Sequence, residues 1–238
     1  MAIDSTYLSI ISASLTLLIA VLLWIRIHLI ARKLDFTAQK KLQITIFSGI
    51  ALVGWFFLAL ALALFDIYHV TPQFLSPLVP IGFFIPVLIG YWLMKNSVTV
   101  QKILDNLSQE WLILIQTYRF GGIVFLFLLA QGQLPAMFAI PSGVGDVIIG
   151  LSAPIVAFFY WKKKSFSKKL AITWNIVGIV DLIIAIGTGV ILVFPPSFQI
   201  NAATPTTEIM TQFPLVLVPA FAVPLGLLLH VFSLRLLL

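Results

Sequence analysis

The chain has 238 residues, 61% of them hydrophobic and 9% charged, with a formal net charge of +6 and a mean hydropathy of +1.13. So apolar a composition excludes an ordinary soluble domain and leaves room for several membrane spans of about 20 residues with little beside them. Cysteine is absent, which excludes disulfides, thiol nucleophiles and thiolate metal sites.

In chain order, the apolar runs predict seven spans, roughly Leu8 to Leu29, Leu42 to Phe65, Pro77 to Met94, Trp111 to Ala130, Ser142 to Trp161, Ala171 to Phe194 and Phe213 to Leu234. The expected fold is therefore all-α, a polytopic transmembrane helical bundle forming one domain over residues 1–238. The first run is too long for a signal-peptide core and follows an acidic start, so it reads as a retained helix. Arg26, Arg32, Lys33, Lys40 and Lys41 flank the first connection, Lys95 and Lys102 the third, and Lys162, Lys163, Lys164, Lys168 and Lys169 the fifth, while Arg235 ends the chain. The alternate connections, "DIYHVTPQFLS", "QGQLPAMFAIP" and "PPSFQINAATPTTEIMTQ", contain no lysine or arginine. This alternation predicts an outside N-terminus and a cytoplasmic C-terminus. It assigns the basic residues to anionic lipid at a cell inner (plasma) membrane rather than to nucleic acid.

Between the third and fourth spans, Val100, Ile103, Leu104, Leu107 and Trp111 share a helical stripe, which predicts an amphipathic interfacial helix over 98–110. The fourth span carries Arg119 and the sixth Asp181, each alone in an apolar run. Charges at such depth need a partner or a wetted cavity, and counting about 1.5 Å per residue from the cytoplasmic ends places the two at similar depth. An interhelical ion pair is the expectation, with Gly121 and Gly122 permitting close approach; snorkelling of Arg119 to the inner interface is the alternative. Gln116, Asn175 and His230 fall at a similar level and complete a predicted polar centre. On the sixth span Trp174, Gly178, Asp181, Ala185 and Thr188 share the inward face.

The fifth span is expected to open at Pro141 and Ser142, which puts Asp146 near the outer surface, about one turn in. There it would cap its helix or form an outward-facing site for a cation or basic ligand, with Gln131, Gln133, Asp66 and Glu208 on the same side. Gly143, Val144, Gly145 and Asp146 also match the G-x-G-D element of intramembrane aspartyl proteases. Those enzymes share a proton between two aspartates, and Asp181 is expected about 10 Å deeper than Asp146. His28 and His230 could in principle ligate a haem, but two histidines are a weak signal and no cofactor is predicted. The seventh span has no lysine for a retinal Schiff base.

The segments Gln116 to Arg119, Gly132 to Pro135, Gly143 to Asp146 and Trp174 to Asp181, with Pro219, Pro224 and His230, resemble a group of uncharacterised bacterial polytopic membrane proteins. The resemblance covers roughly the C-terminal half and implies no activity. No Walker sequence, nucleophile elbow, metal-ligand cluster or internal repeat is present. The expected function is a non-enzymatic one. A small-solute or proton-linked transporter or receptor would use the Arg119 and Asp181 centre and proline-broken helices to bind a polar solute, cation or proton. A membrane scaffold or accessory subunit bound to a protein partner would use the same pair to fix helix register.

Overall fold

The computed structural model describes residues 5–70, 78–193 and 205–238. Among them are seven helices long and apolar enough to cross a membrane: Ser14–Lys33 (within a helix beginning at Ser5), Ala38–Leu64, Leu78–Asn96, Gln109–Ala130, Ala136–Trp161, Ser167–Val193 and Val218–Leu237. These are the first to seventh spans below. Their length and apolarity are those of a multi-pass integral membrane protein. Pro77, Phe194 and the start of the last connection lie outside the described residues.

Sequence punctuation sets the helix ends. Thr37 caps the second span by accepting from Lys40 N, and Ser97 caps the short helix Val98–Leu104 by accepting from Val100 N. The second and fifth spans end in left-handed residues, Asp66 at φ 58° and Lys163 at φ 49°. Lipid-length helices need no amphipathic stripe, because bilayer and core both accept apolar side chains. Phe57, Leu88, Trp92, Ile148, Ile155 and Ile183 accordingly point outward.

Two expectations are corrected here. The helix over 98–110 is not continuous: Val98–Leu104 is followed by a turn, and a new helix begins at Gln109. Ile103, Leu104 and Leu107 are buried in the protein core, so the stripe that suggested a lipid interface is a packing face. The fifth span begins at Ala136, with Pro135 in the cap position and Pro141 inside the helix. A proline in the second turn forfeits only one early hydrogen bond, which is why it does not mark the start.

Three spans depart from regular α geometry. The second contains a π turn at Ile50–Gly54, the seventh begins with one at Val218–Ala222, and the middle of the fourth tightens into a 3-10 helix at Ile115–Gly122. Along spans four to seven the core is layered. Towards the lysine-rich end, Ile113, Ile149, Ala153 and Trp174 form one apolar cluster; towards the other end, Phe125, Leu128, Phe138 and Leu192 form a second. Between them lies a layer of polar side chains.

Candidate functional site

The 3-10 segment builds the site. At three residues per turn, Gln116, Arg119 and Gly122 line up on one face, and all three are buried. Arg119 is 3% exposed and stands midway between Gln109 and Ala130, so the snorkelling alternative is overturned. Its Nε donates to Asp146 Oδ1 at 2.7 Å, its Nη2 donates to Asp181 Oδ2, and its Nη1 donates to Gly178 O at 3.3 Å. Nη1 also meets His230 Nε2 at 3.1 Å. Because a guanidinium only donates, His230 Nε2 is the acceptor and the ring proton sits on Nδ1, which donates to Asn175 Oδ1 at 2.9 Å.

The polar chain continues from there. Asn175 Nδ2 donates to Ser233 Oγ at 2.8 Å, and Gln109 Nε2 also donates to Ser233 Oγ. Arg119, His230, Asn175, Ser233 and Gln109 thus form a buried hydrogen-bonded path from the middle of the bundle to the first turn of the fourth span. Gln116 lies beside it and donates to Gly226 O at 3.0 Å.

Asp146 is not near the surface. It joins Asp181 on the same guanidinium, so the expected 10 Å separation in depth is overturned and the two constellations are one. The error came from the helix start: the turn from Ala136 to Pro141 carries Asp146 further in. The carboxylates also relate to each other differently from a protease dyad, since each addresses a nitrogen of Arg119. Both ring nitrogens of His230 are engaged, and His28 Nδ1 meets Thr45 Oγ1 at 2.9 Å.

The polar side chains are seated on glycines of neighbouring helices. A Cβ on Gly122 of the fourth span would overlap Asp146 of the fifth; one on Gly145 of the fifth would overlap the Asp181 carboxylate of the sixth. Gly178 of the sixth faces the His230 ring of the seventh, and Gly226 of the seventh faces the Tyr118 hydroxyl of the fourth. The four seats form a closed ring. Gly150 adds the tightest backbone approach, its missing Cβ lying against Phe120 N.

A cavity of about 110 Å³ reaches this layer. Leu15 and Ile19 of the first span form one wall, Phe125 and Val218 contribute further apolar surface, and Arg119 and Asp146 supply its charged surface.

The acidic residues expected beside Asp146 meet elsewhere. Asp66 Oδ2 lies 2.9 Å from His69 Nδ1 and Glu208 Oε1 lies 3.2 Å from His69 Nε2, tying the end of the second span to the segment before the seventh. Val70 N donates to Thr211 Oγ1 across the same join. Hydrogen bonds that the His69 ring donates to Asp66 and then to Glu208 raise its pKa above the ordinary imidazole value, so the clamp is at full strength below that value and weakens as pH rises through the raised one. Sequence reading passed over His69; its only signal was the Asp66 carboxylate three residues before it. Gln131 and Gln133 are exposed.

A family model described as "Domain of unknown function (DUF8737)" matches residues 76–238. The chain belongs to this family. Within DUF8737 fall all four spans of the glycine-seated ring, whereas the first span, which walls the cavity, lies outside the matched segment. No curated protein and no solved structure matches the chain significantly.

Proposed function

We propose that the protein is a proton-linked transporter of a small solute in a bacterial plasma membrane, with its N-terminus outside and its C-terminus in the cytoplasm. The observation that carries this reading is a cavity ending on the Asp146 carboxylate and the Arg119 guanidinium at the middle of the spans, with Asp181 paired to the same guanidinium behind them, beside helices that leave α geometry. Broken helices around a midplane site are how many transporters bind and then release a solute. With both carboxylates ionised the centre carries one negative charge in excess, and binding of one proton or one cationic group cancels it, which is the exchange a proton-linked cycle uses. The buried path through His230, Asn175, Ser233 and Gln109 supports a proton route towards the lysine-rich end.

A second reading, a non-catalytic scaffold or accessory subunit, draws support from how completely Arg119 is held: each guanidinium nitrogen has an acceptor. The test is reconstitution into vesicles on a capacitive electrode, with concentration jumps of amines, amino acids, organic acids and sugars across a pH gradient. Transport predicts pH-dependent currents from one solute class in wild type and their loss in Asp181→Asn. Silence with every class, together with co-purification of a fixed protein partner, overturns it in favour of the scaffold.

A further inference from the structure

Donors and acceptors at the centre do not balance. Arg119 has five N–H groups, and four are spent on Asp146, Asp181, Gly178 O and His230. The carboxylates have more acceptor capacity than that: among the described residues no hydrogen bond reaches Asp146 Oδ2 or Asp181 Oδ1. A ligand entering here therefore finds spare acceptors and a net negative charge, which repels anions and leaves a cationic donor the best matched guest.

The cavity decides which carboxylate the guest meets and what else it carries. Asp181 packs against Gly145 and does not line the cavity. Asp146 does line it. The rest of the lining is mostly apolar: Leu15, Ile19, Phe125, Leu182 and Val218 surround the space, with Arg119, Thr16 and Tyr118 the other polar residues there, and the Tyr118 hydroxyl already donates to Ala222 O. A hydrated metal ion or a polyhydroxylated solute would leave most of its hydrogen bonds unmade against such walls. An ammonium on a short apolar body would satisfy both surfaces at once.

We infer that the cavity beside Asp146 binds a primary or secondary organic ammonium with an apolar body, the ammonium on the Asp146 carboxylate and the body between the first span and the fourth and seventh. This inference rests on the transport reading for the choice of site, but it concerns binding alone. Leu15 touches the position of Gly121 at the cavity wall, so a larger side chain there fills the space without altering a charge.

The experiment uses the purified full chain in detergent and follows thermal stabilisation by hexylammonium and phenethylammonium, with hexanol, 2-phenylethanol and hexanoate as matched controls. The ammonium compounds should act at concentrations at least tenfold below the alcohols and the acid. Asp146→Asn should erase that tenfold preference, and Leu15→Trp should weaken ammonium binding at least tenfold. Should Leu15→Trp fail to fold, Val218→Phe fills the same space from the seventh span. Equal action of ammonium and alcohol, or ammonium binding indifferent to both Asp146→Asn and the filling variants, overturns the inference. Ammonium binding without vesicle currents would remove the transport reading and leave this one standing; currents carried by a different solute class without ammonium binding would do the reverse.

Discussion

One guanidinium holds two carboxylates, and that count sets how each residue responds to substitution. Asp146→Asn or Asp181→Asn leaves one positive and one negative group, a balanced pair, and asparagine keeps an acceptor for Arg119. Arg119→Gln leaves two carboxylates facing each other without a cation, and the double Asp146→Asn, Asp181→Asn variant leaves a lone buried cation. An uncompensated buried charge costs about 3 kcal/mol or more. Thermal stability in detergent should therefore fall slightly for either aspartate variant, and severely for Arg119→Gln and for the double aspartate variant. Equal, additive losses from the two aspartates would show that the charges do not act as one set. Arg119 and Asp181 were legible as partners because each is the sole charge in its apolar run. Asp146 was not, since its depth depends on where its helix starts, and Pro141 imitates a start inside a helix that already runs from Ala136.

At the scale of elements, the 3-10 turn and the glycine seats do together what no α-helix face would do alone. Three residues per turn stack Gln116, Arg119 and Gly122 in one line, where α geometry would spread them round the helix. Nothing in the apolar pattern of 115–122 announces that change of pitch, because it is set by the fit against the fifth span rather than by local preference. The seats make a sharp expectation. Gly150→Ala pushes a methyl group into the Phe120 backbone, which cannot rotate away, and Gly145→Ala collides with the Asp181 carboxylate. Each should destabilise by about 2 kcal/mol or more. Gly187→Ala on the sixth span meets nothing within 4 Å and should be neutral or slightly stabilising, so a comparison of melting temperatures among the three tests the packing directly. The helix expected at 98–110 shows the complementary limit: an apolar stripe is the same signal whether lipid or protein covers it.

At the scale of the molecule, the spans alternate in direction, and polar contacts tie each end together. Arg235 Nη1 donates to Asp105 Oδ1 at 2.6 Å, joining the C-terminal helix to the third connection, while His69 and Glu208 join the second connection to the sixth at the other end. The lysine-rich end is expected to be cytoplasmic. In this cysteine-free chain, a cysteine at exposed Gln133 should react with an impermeant maleimide in intact cells, and one at exposed Ser165 only after permeabilisation. The reverse pattern would invert the orientation. The number of spans was readable from hydropathy alone; which spans form the ring was not, because lipid-facing and core-facing sides are equally apolar.

The four glycine seats also have a mechanical meaning. Four helices linked in an open row need only three joints, and the outer pair can swing independently. The seat of Tyr118 on Gly226 is the fourth joint, and it turns the row into a closed linkage. In such a linkage no helix tilts alone: a shift of the seventh span at its π turn passes through His230 to the sixth, through Asp181 to the fifth, and through Asp146 back to the fourth. Any tilt of one of these helices is therefore shared by all four, as by the leaves of an iris, with the guanidinium of Arg119 at the hub.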